Sequence, residues 1–100
     1  MPIAIQQDST YLGRDRWKFS IWVDGPSEEL DQIDYVMYVL DRTFHNPVRE
    51  VSDRATKFHL ETASWGGFTI YAWAYLKYGG EMPLQHELVL VYPDGTPTTA

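Results

Sequence analysis

Residues 68–77 read Phe68-Thr69-Ile70-Tyr71-Ala72-Trp73-Ala74-Tyr75-Leu76-Lys77. Drawn as an extended chain, Phe68, Ile70, Ala72, Ala74 and Leu76 fall on one side. Thr69, Tyr71, Trp73, Tyr75 and Lys77 fall on the other. A helix would scatter both sets around its circumference, whereas a strand separates them cleanly. The small residues at 72 and 74 predict close sheet-to-sheet contact on the inner side.

The same period recurs along the chain. Residues 16–24 alternate Trp17, Phe19, Ile21 and Val23 with Lys18, Ser20 and Trp22. Trp22 is the odd member, a large ring on the polar side. Residues 3–12 carry a weaker strand pattern, and 8–16 read as a polar turn region. Ile33 to Leu40 is apolar on both sides apart from Asp34, which suits a central or covered strand. Val36, Tyr38 and Leu40 are assigned inward. Val48 to Val51 reads as a short edge strand beyond Pro47. Leu84, His86, Leu88 and Leu90 alternate with Gln85, Glu87, Val89 and Val91. Asp24-Gly25-Pro26 and Tyr78-Gly79-Gly80-Glu81 are turn signals, the second of hairpin type. Ser27–Asp31 has room for one helical turn.

Many short strands without a long helix predict an all-β protein, an antiparallel β-sandwich. The expected core is Trp17, Phe19, Ile21, Val36, Tyr38, Leu40, Phe58, Phe68, Ile70, Leu88 and Leu90. Its 100 residues fit one domain over 1–100, with a core of about 16–92. Residues 93–100, rich in Pro, Gly and Thr, read as a linker-like tail.

Composition narrows the function. The net charge is −6, and no basic patch interrupts it, which disfavours nucleic acid as a partner. There is no cysteine, so thiolate chemistry and disulfides are excluded and the compartment leans towards the cytoplasm. No apolar run reaches membrane-spanning length, and no signal peptide is visible. Ser64 does not sit in a nucleophile elbow. Asp41, His45, Asp53 and His59 match no metal-ligand spacing. No pair of carboxylates stands out for glycoside hydrolysis. The expectation is a binding module rather than an enzyme, with no cofactor or metal.

Two loops carry the chemistry that remains. Strand 36–40 runs into Asp41-Arg42-Thr43-Phe44, and another strand end is followed by Trp65-Gly66-Gly67. Were the loops side by side, the rings of Phe44 and Trp65 would stack on a flat group. The Thr43 hydroxyl and free backbone N–H groups would bind an amide, and the glycines would admit it closely. The competing reading makes Phe44 and Trp65 ordinary core anchors.

The ordered set Asp24-Gly25-Pro26, Val36 to Pro47, Trp65-Gly66-Gly67-Phe68 and Leu88-Val89-Leu90 resembles the YEATS domain family, in its prokaryotic branch. The resemblance spans roughly residues 16–92. It implies an immunoglobulin-like sandwich that binds a protein or peptide ligand. Eukaryotic members read acetylated or crotonylated lysine between aromatic rings. By resemblance Thr43 bonds the amide, Phe44 and Trp65 form the walls, and the Gly66 N–H holds the carbonyl. Glu87 matches an acidic residue beside the peptide. Asp41 stands where the family pattern has a pocket His. The aromatic usual before the second strand has no match at Asp15, with Tyr11 and Trp17 as candidate substitutes.

Two other readings stay open. One is an interaction domain with a degenerate slot. The other is a carbohydrate-binding module using Tyr71, Trp73 and Tyr75. Those three rings, with Trp22 or Tyr35 beside them, are expected to form an interaction surface covered by a dimer partner or a neighbouring domain.

Overall fold

The computed structural model describes residues 3–98. Strand β1 (Ala4–Gly13) leads into β2 (Arg16–Asp24), and a single helical turn α1 (Ser27–Leu30) precedes β3 (Ile33–Val39). Then come β4 (Val48–Val51), a 3-10 turn at Arg54–Thr56, β5 (Leu60–Ser64), β6 (Phe68–Leu76) and β7 (Glu81–Leu88). The strands form two antiparallel sheets, ordered β1-β2-β5 and β4-β3-β6-β7. This is the antiparallel sandwich that the alternation predicts, in the immunoglobulin-like form that the family resemblance implies.

Inner residues of both sheets meet between them. Trp17, Phe19, Ile21 and Val23 from β2 face Val36 and Tyr38 from β3 and Ile70, Ala72 and Ala74 from β6, all buried. Of the eleven residues expected in the core, only Phe68 is half-buried rather than buried. It sits at the end of β6, where the interior opens into the cleft described below.

The first turn is tighter than residues 8–16 suggest. β1 pairs with β2 as far as Gly13, so the reversal shrinks to Arg14 and Asp15. Both lie at positive φ, 54° and 57°, as a two-residue hairpin of the matching twist requires. At the other hairpin Gly79 and Gly80 supply positive φ without a Cβ to clash.

Two polar links join the sheets. The Tyr38 hydroxyl, buried in the core, donates to the Phe58 carbonyl at 2.7 Å. Burial pushes its pKa well above the ordinary tyrosine value, so the group stays a neutral donor. Phe58 itself has φ 59° while wholly buried, a conformation uncommon for a bulky side chain. At the seam between β1 and β7, the Gln7 side-chain amide donates to the Val89 carbonyl at 2.8 Å and accepts from the Val89 N–H at 3.2 Å. His86 Nε2 lies 2.7 Å from the same Gln7 oxygen, which makes Nε2 the protonated nitrogen.

After β7 the chain folds back on itself. Val91 bridges Pro97, the Thr98 N–H donates to the Leu90 carbonyl, and Tyr92 packs on Trp17 with centroids 4.9 Å apart. The Trp17 indole N–H donates to the Val91 carbonyl at 2.8 Å. Residues 93–97, expected to be linker-like, are exposed but form a turn tied back to the domain through Tyr92 and Thr98. The rest of that tail, 99 and 100, lies outside the described residues.

The outer aromatics do not form one surface. Tyr71, Trp73 and Tyr75 project from the outer face of the four-stranded sheet, and Tyr35 stacks on Tyr75 at 4.7 Å. Trp22 projects from the three-stranded sheet on the opposite side of the sandwich and stacks on His59. Grouping Trp22 with the other three is corrected for that reason. An even-numbered outward position on β2 belongs to a different layer from the outer face of β6.

Two outcomes follow from these links. Tyr38→Phe should cost about 1–3 kcal/mol in chemical denaturation, because it strands a buried carbonyl. Burial lowers the pKa of His86, opposed in part by the Glu87 charge. The unfolded chain therefore takes up the proton first, at the usual value of about 6.5. Stability from neutral His86 is complete above that pH and is lost as pH falls through the lower folded value. The denaturation midpoint should drop in the wild type as pH falls below about 6.5, the unfolded value, and His86→Gln should flatten that drop.

Candidate functional site

One end of the sandwich collects the β1–β2 hairpin, the 40–47 connection and the 65–67 connection. The 40–47 loop begins where Asp41 Oδ1 accepts the Thr43 N–H at 3.0 Å, and the Phe44 N–H donates to the Asp41 carbonyl at 3.0 Å. This aspartate-capped turn is the local preference of an Asp two residues ahead of a free N–H. It aims Phe44 back at the sheets, where its ring packs on Phe68 at 5.3 Å. Phe68 packs in turn on buried Phe19 at 6.0 Å. Phe44 is therefore anchored to the core through two further rings. The Thr43 hydroxyl points to no protein partner among the described residues and is exposed.

The 65–67 loop is built differently. Gly67 lies so close to the Leu88 carbonyl that a Cβ there would overlap its oxygen. The Gly67 N–H donates to Thr98 Oγ1 at 3.0 Å. Ser64 is buried, and its hydroxyl donates to the Gly66 carbonyl at 2.8 Å while accepting the Gly66 N–H at 3.3 Å. Trp65 is left 67% exposed. The Arg16 guanidinium sits 5.3 Å from its ring centroid, in cation–π range.

Between the two loops lies a cleft of about 210 Å³ lined by Asp41, Thr43, Phe44 and residues 63–68. That is smaller than the roughly 300–1,000 Å³ of typical small-molecule and cofactor sites. It suits a narrow, extended group entering between a fixed ring and an exposed one. Of the residues expected at the slot, Asp41, Thr43, Phe44, Trp65, Gly66 and Gly67 line this cleft. Glu87 does not. It lies on the outer sheet face, where its carboxylate accepts the Thr69 hydroxyl at 3.0 Å.

Some expected roles meet a different geometry. The Gly66 N–H is directed at Ser64 over a long contact, so a ligand carbonyl there would compete with that hydroxyl. Tyr11 and Trp17 do not supply the missing wall. They join Tyr92 in a separate ring cluster, with centroids 4.9–5.6 Å apart. Arg16 is the residue of that hairpin that reaches Trp65. Sequence reasoning missed Arg16, Ser64 and Phe68 as parts of the site. The signal for Arg16 and Ser64 is the β2–β5 register, which sets Trp17 opposite Ser64 and so brings their neighbours together. Among the described residues no group of three His, Asp or Glu side chains converges as a metal site, and no helix is long and apolar enough to cross a membrane.

The comparisons with known proteins agree with the fold. A family model for the prokaryotic YEATS domain matches residues 17–89. No curated protein sequence matches the chain. Among solved structures, the yeast AF-9 homolog Yaf9 aligns with TM-score 0.75 at 23% identity, covering 96% of this chain and 75% of that one. The Yaf9 YEATS domain bound to acetylated histone H3 gives TM-score 0.69 at 22% identity, over 96% and 75% of the two chains. The same domain recognising a succinylated H3 peptide gives 0.63 at 23% identity, over 86% and 67%. Such identities establish a shared fold.

The close approach at Gly67 yields a direct test. Gly67→Ala should destabilise the domain by about 1–3 kcal/mol through overpacking. Its largest amide shift changes by NMR should fall on residues 64–68 and 88–90 rather than on the far hairpin at 79–80.

Proposed function

The chain belongs to the prokaryotic YEATS domain family, and from that premise we propose that it is a non-enzymatic reader of an acylated lysine or a closely related amide-bearing side chain. The observation that carries this reading is the meeting of Thr43 and Phe44 from one loop with Trp65, Gly66 and Gly67 from another around a single narrow cleft. An extended side chain ending in a planar amide matches the cleft in shape. Phe44, backed by Phe68 and Phe19, is the fixed wall. Trp65 is the exposed wall, backed by Arg16, and closes over the amide plane. The unpaired Thr43 hydroxyl is the donor or acceptor for the amide. Yaf9, which shares the fold, is described with acetylated and succinylated H3 peptides. The same ligand chemistry is proposed here, with the peptide's identity left to experiment.

Asp41 adds a selectivity element. One of its oxygens is held by the Thr43 N–H, which leaves the other at the cleft. A carboxylate there favours a cationic group, so free or methylated lysine competes with acyl-lysine more than it would beside a histidine. The second reading is an interaction domain whose slot no longer takes an acyl group. The occupation of the Gly66 N–H by Ser64 favours it, since one backbone donor is partly withdrawn.

Titration of one peptide carrying acetyl-, crotonyl-, methyl- or unmodified lysine, followed by Trp fluorescence, separates the two. The acyl forms should bind. Trp65→Ala should weaken them by on the order of 2 kcal/mol or more, as for a binding hot spot. Thr43→Val should cost about 0.5–1.5 kcal/mol, the net worth of a neutral hydrogen bond. Failure of all four forms with the fold intact would leave the interaction-domain reading.

A further inference from the structure

The outer face of the four-stranded sheet has a composition of its own. Across β3 and β6 the register sets Tyr35 opposite Tyr75, Met37 opposite Trp73 and Val39 opposite Tyr71. These six side chains form a central apolar panel, with Tyr71 52% and Trp73 39% exposed. Carboxylates stand on both sides of it. Glu50 on β4 lies opposite Met37, while Glu81 and Glu87 on β7 lie opposite Tyr75 and Thr69. Strands are spaced about 4.8 Å apart, so the acids sit roughly 5–10 Å from the rings. Within these four strands no Lys, Arg or His side chain faces outward, and the one cation that continues the outward alternation is exposed Lys77, just past the end of β6. Arg49 pairs with inward Tyr38, and its guanidinium is held by the His45 and Asn46 carbonyls. His86 faces the β1 seam.

We propose that this face is a docking surface for a protein partner that presents arginines. Three features select that chemistry. Guanidinium planes stack on Trp and Tyr faces. The same groups fork onto carboxylates, and here carboxylates border the rings on two sides. The chain's net charge of −6 steers a basic partner towards it. A second copy of the chain is disfavoured by the same pattern. A two-fold contact sets the patch against itself, and this patch would bring Glu50, Glu81 and Glu87 of both copies together with only Lys77, at the end of β6, to offset them. The proposal is independent of the cleft, which lies at the end of the sandwich, and does not rest on the reading given to it.

The experiment uses the intact chain and a synthetic arginine-rich dodecapeptide, with a lysine-rich peptide of equal charge beside it. Binding is followed by NMR shift changes in physiological salt. The arginine peptide should bind more tightly than the lysine peptide, with the largest shifts at the Trp73 indole and on β3 and β6. Glu50→Lys/Glu81→Lys/Glu87→Lys should weaken it by at least about tenfold, as should Tyr71→Thr/Trp73→Thr. A control of equal net charge, Asp8→Lys/Glu28→Lys/Glu29→Lys, should weaken it far less, and Trp65→Ala should leave it unchanged. Equal losses in the face and control variants would reduce the effect to net charge and overturn the proposal. So would the absence of binding, equal affinity for both peptides, or a wild-type dimer in sedimentation that Trp73→Thr converts to monomer.

Discussion

The approach of Gly67 to the Leu88 carbonyl fixes the end of the sandwich that holds the cleft. Only a residue without a Cβ fits there, so the 65–67 loop lies flat against the end of β7. Ser64 and Thr98 hold it from either side, one through Gly66 and the other through the Gly67 N–H. With its following residues pinned, Trp65 has nowhere to bury its ring and projects over the cleft. An exposed tryptophan is ordinarily a liability. Here it is the consequence of a backbone constraint one layer below.

The facing wall is held by side chains. Phe44, Phe68 and Phe19 form a relay of rings from the cleft into the sandwich interior. The turn that delivers Phe44 is set by the Asp41 carboxylate rather than by the sheet. A fixed wall and a projecting wall thus arise by different means from loops about twenty residues apart in sequence. Asp41 serves two purposes in this account. It caps the turn that aims Phe44, and it sets the charge that a ligand meets.

Much of this was legible in the sequence because the period of a strand is an unusually clear signal. Residues 16–24 and 68–76 could be assigned inward and outward one by one, and the buried set follows those assignments closely. The cleft residues were legible because glycine pairs and hydroxyl-aromatic pairs mark loops that approach something closely. Relations between strands were hidden. Trp22 and Trp73 both face outward by alternation, yet nothing local tells which sheet each belongs to. Arg16 meets Trp65 only because β2 and β5 pair in one register. The tethering of 93–98 was masked by Pro, Gly and Thr, residues that read as a linker but here make an exposed turn held where the Thr98 hydroxyl accepts the Gly67 N–H. Glu87 was placed at the slot by resemblance, and the pairing of β6 with β7 puts its carboxylate on the outer face instead.

The central claim is that the cleft between Phe44 and Trp65 is where this domain recognises its ligand. The most direct measurement is the set of intermolecular nuclear Overhauser effects between an acetyl-lysine peptide, labelled at the acetyl methyl, and the protein's aromatic protons. The account predicts contacts from that methyl to the rings of both Phe44 and Trp65. Contacts to Tyr71 and Trp73 alone, or to neither wall of the cleft in a saturated complex, would contradict it.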